Sequence, residues 1–444
     1  MANLKNMFST LSQDLQHKED PDESEFSKTE RNVRINVYHG IVNSISLNLA
    51  SPFIGIFAIK LGASNFQVAL LSSGPALISL LSMIPGARYL DKQSDQKKIL
   101  SRLIFFHRLF YLLIAFIPFF TEDKRASLLV ALVALMNMPG SIFNVGWQAY
   151  ISRVIPVSRR AEAIAMRNKF INLSGTITVL LTGILIDAMA FPIGYQIVFA
   201  ASFAMALLEL WLFNKLDETV IEKVEIVEPS IQEKKDQSKG VLRSLIDEVG
   251  QVFEHKEFVR FVVASLIFHF AWQVPWPLFT LYQVKELGAN NTWVSILSFS
   301  NTIGSIVGYS FWPRILTKHG NLKTLFASSL WIFIVPTVYA FANSLVTIGI
   351  SNFVTGAIFA GVNLALFSTL LDVTPSENKA TYIAYYTTVI NASAIVAPMV
   401  GVGLRDRFGF FWAFIICAIM RIVGSLMFLV LNYLEKQEEK TGDK

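Results

Sequence analysis

Cysteine, charge and nucleotide-binding motifs are what this sequence has least of. One cysteine, Cys417, stands inside an apolar run, which excludes an intrachain disulfide framework. Charged residues make up 16% of the 444, against about a quarter in a soluble domain. No Walker-type loop is present, so direct use of ATP is excluded. HExxH, GxSxG and paired carboxylates inside apolar segments are also missing, so an enzyme is not expected, nor a cofactor or a bound metal. Residues 1–26 hold no apolar core of signal-peptide length.

Apolar residues dominate what remains. They reach 53% of the chain, with 36 Phe, and mean hydropathy is +0.48. At about 20 apolar residues per crossing, a dozen spans fit this length. Twelve apolar segments are readable, near 35–58, 66–88, 99–120, 127–152, 163–187, 193–214, 258–283, 292–313, 323–341, 345–371, 380–403 and 410–434. The fold class is therefore an all-α membrane protein. A net charge of +5 is no sign of nucleic acid here, because bases in a membrane protein collect in loops on one side. The loops on the side of the termini hold Arg88, Lys92, Lys97, Lys98, Arg153, Arg159, Arg160, Arg314, Lys318, Lys323 and Lys379, besides the bases of the central linker. The opposite loops offer only Lys60, Lys124, Arg125, Lys285, Arg405 and Arg407. Both termini are expected in the cytoplasm, with the protein in the plasma membrane.

The longest polar break, 215–257, divides the chain into two groups of six spans. Five units are expected: a mobile tail over 1–34, a bundle over 35–214, a linker over 215–257, a bundle over 258–434 and a tail over 435–444. Within the linker, Leu242, Leu245, Ile246, Val249, Val252 and Phe253 recur at helical spacing, predicting an amphipathic helix near 241–256 that bridges the bundles. The halves also repeat. The block from Leu61, LGASNFQVALLSS, aligns with LGANNTWVSILSF from Leu287, and the same offset pairs Arg88 with Arg314, Lys92 with Lys318 and Lys97 with Lys323. A second constant offset pairs Asn172 with Asn391, Asp187 with Asp406 and Phe191 with Phe410. Six spans per repeat make the two halves parallel, related by an axis along the membrane normal. Transporters whose halves rock about a central site are built this way.

The chain at this point resembles the major facilitator superfamily, over nearly its whole length. The stretch from Gly86 to Lys98 looks like that family's loop after span two, with Asp91 on the aspartate position and Lys92, Lys97 and Lys98 on or beside the basic ones. In the second half Lys318 and Gly320 match, while Thr317 replaces the aspartate. Leu404 to Phe410 looks like the family's turn between spans eleven and twelve. The resemblance implies two six-helix bundles and a gating role for Asp91, Lys92, Lys97, Lys98, Lys318 and Gly320. It also implies that the first and fourth helices of each half line a cavity. Span four lacks the arginine common in the family's proton antiporters, and span five lacks their Gly-Pro motif.

Polar stripes on those helices nominate substrate-binding residues. They are Asn43 on span one, Asn137, Asn144 and Gln148 on span four, His269, Trp272, Gln273 and Trp276 on span seven, and Asn363 on span ten. Amides and aromatic walls suit an amphipathic organic solute better than a bare ion. The competing reading of each amide is a tie between helices. Ionisable groups inside a bilayer are costly and are functional candidates by default. His269 and Arg421 sit deepest, with His269 open to substrate or to a coupling proton and Arg421 expected to tie neighbouring carbonyls. Arg108, Arg167 and Glu209 lie nearer the cytoplasmic ends, where Arg167 can snorkel. Asp91, Asp187, Asp372 and Asp406 stand at helix ends, where capping and gate salt bridges are the plain expectation.

The function these features predict is secondary transport of a small amphipathic organic solute by alternating access, with efflux favoured over uptake. A transporter-like receptor that binds a solute without moving it is the alternative. The expected partners are that small molecule, a coupling proton or sodium ion, and the lipid bilayer. Nucleic acid is not expected, and a monomer is.

Overall fold

The computed structural model describes residues 25–91, 93, 95–218, 255–375 and 379–441. All of the regular structure among them is helical, as backbone groups inside a bilayer require. The first half comprises α1 (Glu25–Ala50, continued by a 3-10 turn into Ile54–Lys60), α2 (Asn65–Asp91), α3 (Gln96–Ala115), α4 (Glu122–Val154), α5 (Val157–Asp187) and α6 (Ile193–Asn214). The second comprises α7 (Lys256–Gln273, then Trp276–Leu281), α8 (Asn291–His319), α9 (Asn321–Leu330, then Ile334–Phe341) and α10 (Leu345–Val373), followed by one long helix, Lys379–Thr441. Gly409, with φ of 77°, breaks that helix into α11 (379–408) and α12 (410–441). Among the described residues ten helices are long and apolar enough to cross a membrane, and the last of these is α11 and α12 together. The remaining element is α8, long enough but rich in Ser, Thr and Asn. Twelve crossings result, in the places the hydropathy pattern gives them.

One expected boundary is wrong. Residues 25–34 are not tail. They form the first turns of α1, with Arg31, Asn32 and Val33 buried. Arg31 pairs with Asp217, Arg159 pairs with Glu30, and the Asn32 side chain donates to the Val154 and Asp217 carbonyls. These ties fix the start of α1 to the ends of α4 and α6 and to the first turn of α5. Polarity marks that segment as tail in the sequence, but its polar groups are spent on the bundle. The predicted amphipathic helix near 241–256 lies almost wholly outside the described residues.

Prolines set the irregularities of the second half, and Arg421 compensates for two of them. Pro275 and Pro277 interrupt α7 after Gln273, as the sequence predicts. Pro336 in α9 has no N–H to offer the Ile332 carbonyl one turn earlier. Arg421 of α12 is 1% exposed and donates to the Ile332 carbonyl at 3.1 Å and to the Trp272 carbonyl at 2.8 Å. The expected structural tie is therefore present. Arg421→Leu keeps the bulk but removes a charged donor from both carbonyls and leaves that of Trp272 without its side-chain partner, at about 1–3 kcal/mol. Thermal unfolding in detergent should show that loss while solute binding survives. An unchanged melting temperature would refute the assignment.

Candidate functional site

Among the described residues, the two halves share a core at one end only. Helix ends at residues 60–65, 187–193 and 404–410 lie on the side opposite the termini, the far side. There a single cluster joins Phe53, Phe57, Tyr195 and Phe199 of the first half to Leu278, Leu281, Tyr339 and Phe414 of the second. On the terminus side the clusters are separate. One holds Leu90, Leu100, Tyr150 and Phe213, and the other Phe258, Phe268, Leu366 and Phe428. Apolar packing thus joins the halves at the far side and leaves each to pack alone at the other.

Polar latches complete the far seal. The Asp187 carboxylate at the end of α5 accepts from the Asn291 amide N–H and Nδ2, at 3.2 and 2.7 Å, and from the Thr292 amide N–H and Oγ1, both at 2.7 Å. A carboxylate of one half therefore caps the first turn of α8 in the other, where it also meets the positive end of the helix dipole. Tyr195 donates to Asn291 Oδ1 at 2.7 Å, closing the group from behind. Asn65 at the start of α2 donates to Asp406 Oδ1 at 2.9 Å and accepts from Lys285 at 3.0 Å. Asn65 and Asn291 are repeat mates, as are Asp187 and Asp406. The same Asp–Asn pairing recurs between the halves, and in it Asp187 also takes backbone N–H groups of the helix it meets.

A cavity of about 400 Å³ lies between the halves, lined from both sides by Ser51, Asn137, Trp276, Thr280 and Gln283 among others. It brings Asn137 and Trp276 together, although the Asn137 amide spends its donor on the Val133 carbonyl of its own helix.

Toward the terminus side, the first half holds a buried ionic network. Glu209 of α6 is fully buried and accepts from Arg108 Nε of α3 at 3.1 Å, from Arg108 Nη2 at 3.3 Å and from Asn43 Nδ2 of α1 at 2.7 Å. His39 of α1, also fully buried, points Nε2 at Glu209 from 3.9 Å, and that nitrogen has no hydrogen-bond partner. Its Nδ1 faces Arg167 Nη1 at 3.0 Å, so Nδ1 accepts and the ring is the neutral Nε2–H tautomer. Arg167 of α5 reaches this place across Gly40, where a Cβ would meet its Cγ at 2.9 Å. It does not snorkel. Its Nη1 also donates to the Asn36 carbonyl and Oδ1, both at 2.9 Å, and its guanidinium lies 4.8 Å from the Trp147 ring. Arg108 in turn sits 6.0 Å from the Tyr111 ring, whose hydroxyl is 3.1 Å from Ser51 at the cavity wall. Polar contacts therefore run from Glu209 to the cavity.

The residues nominated by sequence fare unevenly. Asn43 is partly exposed but held by Glu209. Asn144, Gln148 and Asn363 are exposed. Trp272 is half-buried against Phe359, at 4.6 Å between ring centres, and does not stand free. Gln273 is corrected: it is 4% exposed and accepts from Ser393 Oγ of α11 at 2.6 Å, so it packs α7 against α11. His269 places Nδ1 2.8 Å from the Ser265 carbonyl one turn back, an intrahelical bond that leaves Nε2 as its free atom. Asp91 ends α2, Lys97 is partly exposed, and Lys98 and Lys318 are exposed. Lys92 lies outside the described residues. Gly320, at φ of 82°, stops α8. Lys97 and Lys98 line a groove of about 570 Å³ with Arg102, Phe105 and Asn214, formed among the described residues by the first half alone.

The polar stripes give Asn43 of this network, and depth alone marks Arg108, Arg167 and Glu209, but neither says that the four meet. A glutamate inside an apolar span is itself the signal, since such a group needs a base at its depth.

Two parallel six-helix bundles closed at one end define a membrane transporter. The sequence profile of the Major Facilitator Superfamily matches residues 40–273 and 261–444, and the chain belongs to that family. It is 21% identical over 426 residues to a Na(+), Li(+), K(+)/H(+) antiporter of Planococcus maritimus, covering 91% of this chain and 96% of the relative. It is 24% identical over 413 residues to the multi-drug resistance efflux pump PmrA of Streptococcus pneumoniae, covering 89% and 95%. Among solved structures, the nucleoside transporter NupG superposes with a TM-score of 0.67 at 12% identity, over 90% of this chain and 98% of that one. The D-xylose-proton symporter gives 0.66 at 13%, over 89% and 96%. These likenesses show the fold.

Proposed function

We propose that this transporter exports a small amphipathic organic solute by alternating access, as a monomer with both termini in the cytoplasm of its plasma membrane. The observation that carries the reading is the one-sided core: the halves are locked at the far side and packed separately on the terminus side. With the bases concentrated on the terminus side, the open side is the cytoplasmic one. A cleft open to the cytoplasm accepts solute from within, as export requires. Relatives named as an efflux pump and as a cation/H+ antiporter support the direction.

The coupling site in this reading is Glu209, not His269. Glu209 is a carboxylate at bilayer depth, faced by Arg108 from α3 and by His39 and Asn43 from α1, with Arg167 of α5 behind His39. Taking up a proton would remove the attraction that holds Arg108, loosening α3 and the contacts that reach Ser51. Exchange of the solute for protons needs such a charge-changing group, and sodium is the other ion to be tried.

The test is transport in proteoliposomes carrying carboxyfluorescein, ethidium or a neutral coumarin, under an imposed pH gradient and separately a sodium gradient. Gradient-dependent movement of at least one dye is expected. Binding with no movement under either gradient would contradict export and favour a sensor.

A further inference from the structure

The charge in the buried network of the first half does not balance. Arg108 and Arg167 bring two positive charges, Glu209 brings one negative, and His39 is neutral by its hydrogen-bond geometry. Glu209 is the one carboxylate that the ion pairs of this network contain among the described residues, and it bonds Arg108, not Arg167. An uncompensated charge at bilayer depth is costly, and it persists where something completes it.

The geometry of Arg167 shows which atoms are available. Every hydrogen bond it makes to the described residues leaves from Nη1, toward Asn36 and His39. Its Nε and Nη2 have no partner among the described residues, and neither is among the fully enclosed unpaired atoms, unlike Nη1 of Arg108 and Nε of Arg421. The planar group is fixed at one edge by three contacts and from the side by Trp147 at 4.8 Å. Its other edge, the Nε–Nη2 fork, is open. A guanidinium held in this way is preorganised for two parallel bonds to an oxyanion, a geometry that lysine cannot supply. The ring partners of Trp147 and the hydrogen-bond partners of Arg167 all belong to the first half, so no described residue of the second half occupies that edge. Asn144 and Gln148, one turn before and one residue after Trp147 on α4, are exposed.

We infer that the Nε–Nη2 edge of Arg167 is the binding fork for an oxyanion, a carboxylate above all, carried on the transported amphipathic solute. The inference rests on the transport reading for the word "transported" and on the side-chain geometry for the rest. It gives the substrate class as organic acids and zwitterions, with the charge at Arg167 and the apolar body toward the aromatic walls. It also agrees with the scarcity of acidic side chains on the four helices expected to line the cavity.

The experiment measures binding of 2-naphthoate to purified protein in an uncharged detergent by tryptophan fluorescence, with 2-naphthamide as the neutral isostere. The wild type should prefer the acid by roughly tenfold or more, the worth of one charge-assisted bidentate contact. Arg167→Gln should bring the ratio close to one, and Arg167→Lys should leave an intermediate value. Glu209→Gln removes the competing carboxylate and should raise the preference for the acid, an effect that a purely structural Arg167 would not produce. Equal affinity of wild type for acid and amide, no binding of the acid, or a preference that survives Arg167→Gln would each overturn the proposal. Because no gradient is present, a protein that binds the acid but moves no dye would refute the transport reading while leaving the fork standing.

Discussion

Glu209→Gln is expected to abolish gradient-driven transport and to lower the melting temperature of the purified protein. Glutamine keeps an acceptor for Arg108 and Asn43, so the shape of the network survives and its charge does not. What remains is Arg108, 3% exposed, without its counter-ion. Breaking a buried pair from one side costs about 3–5 kcal/mol, more than most single contacts in a domain. Arg108→Gln together with Glu209→Gln removes both charges and should recover a large part of the lost stability, though not the coupling. Downhill movement of solute should outlast the loss of gradient dependence in the single variant, because a neutral side chain at 209 stands for the protonated state. Wild-type stability with wild-type gradient dependence would remove the network from the account.

Asp187→Asn is expected to release the far side. The carboxylate takes four hydrogen bonds at the first turn of α8, and asparagine offers one acceptor atom where the carboxylate offers two. The loss is about 1–3 kcal/mol in the equilibrium between far-side-closed and far-side-open forms, or roughly 5- to 150-fold in their ratio. Asp406→Asn strikes the repeat mate of the same latch, but Asp406 is exposed at 50% of its side-chain surface, and an exposed contact is worth less than about 1 kcal/mol. The predicted order is therefore Asp187 before Asp406, with the double variant strongest. Cys417 is buried and gives little background, so a cysteine in place of Thr280 at the cavity reports opening through its rate of modification by an impermeant maleimide. Equal rates in Asp187→Asn and wild type would contradict the latch.

The sequence carries the twelve crossings because each apolar stretch must match the bilayer, and it carries the two halves because the repeat is still readable at Leu61 and Leu287. Arg421 was legible for a similar reason: a deep arginine on an outer helix has only carbonyls to turn to. The latch was half legible. Asp187 and Asp406 stand at helix ends where capping is expected, but nothing in the sequence says that the helix capped by Asp187 belongs to the other half. The ionic network was hidden by direction. Arg108 and Glu209 are 101 positions apart, and hydropathy gives their depth without the face on which they lie. Arg167 near a helix end satisfies a snorkelling reading equally well until Gly40 is seen to let it cross α1. Gln273 shares a stripe with His269 and Trp276, yet the break at Pro275 turns α7 and delivers its amide to Ser393.

Alternating access itself is tested by distances measured across both ends of one molecule. Spin labels at Lys124→Cys and Asn343→Cys span the halves on the far side, and labels at Glu162→Cys and Lys318→Cys span them on the terminus side, all at exposed positions. Double electron–electron resonance in lipid nanodiscs should give a short far-side distance and a long terminus-side distance for the resting protein. Introducing Asp187→Asn should lengthen the first and shorten the second together. Distances that move in the same sense, or a far side that opens while the terminus side stays unchanged, would contradict a protein whose two halves rock about one central site.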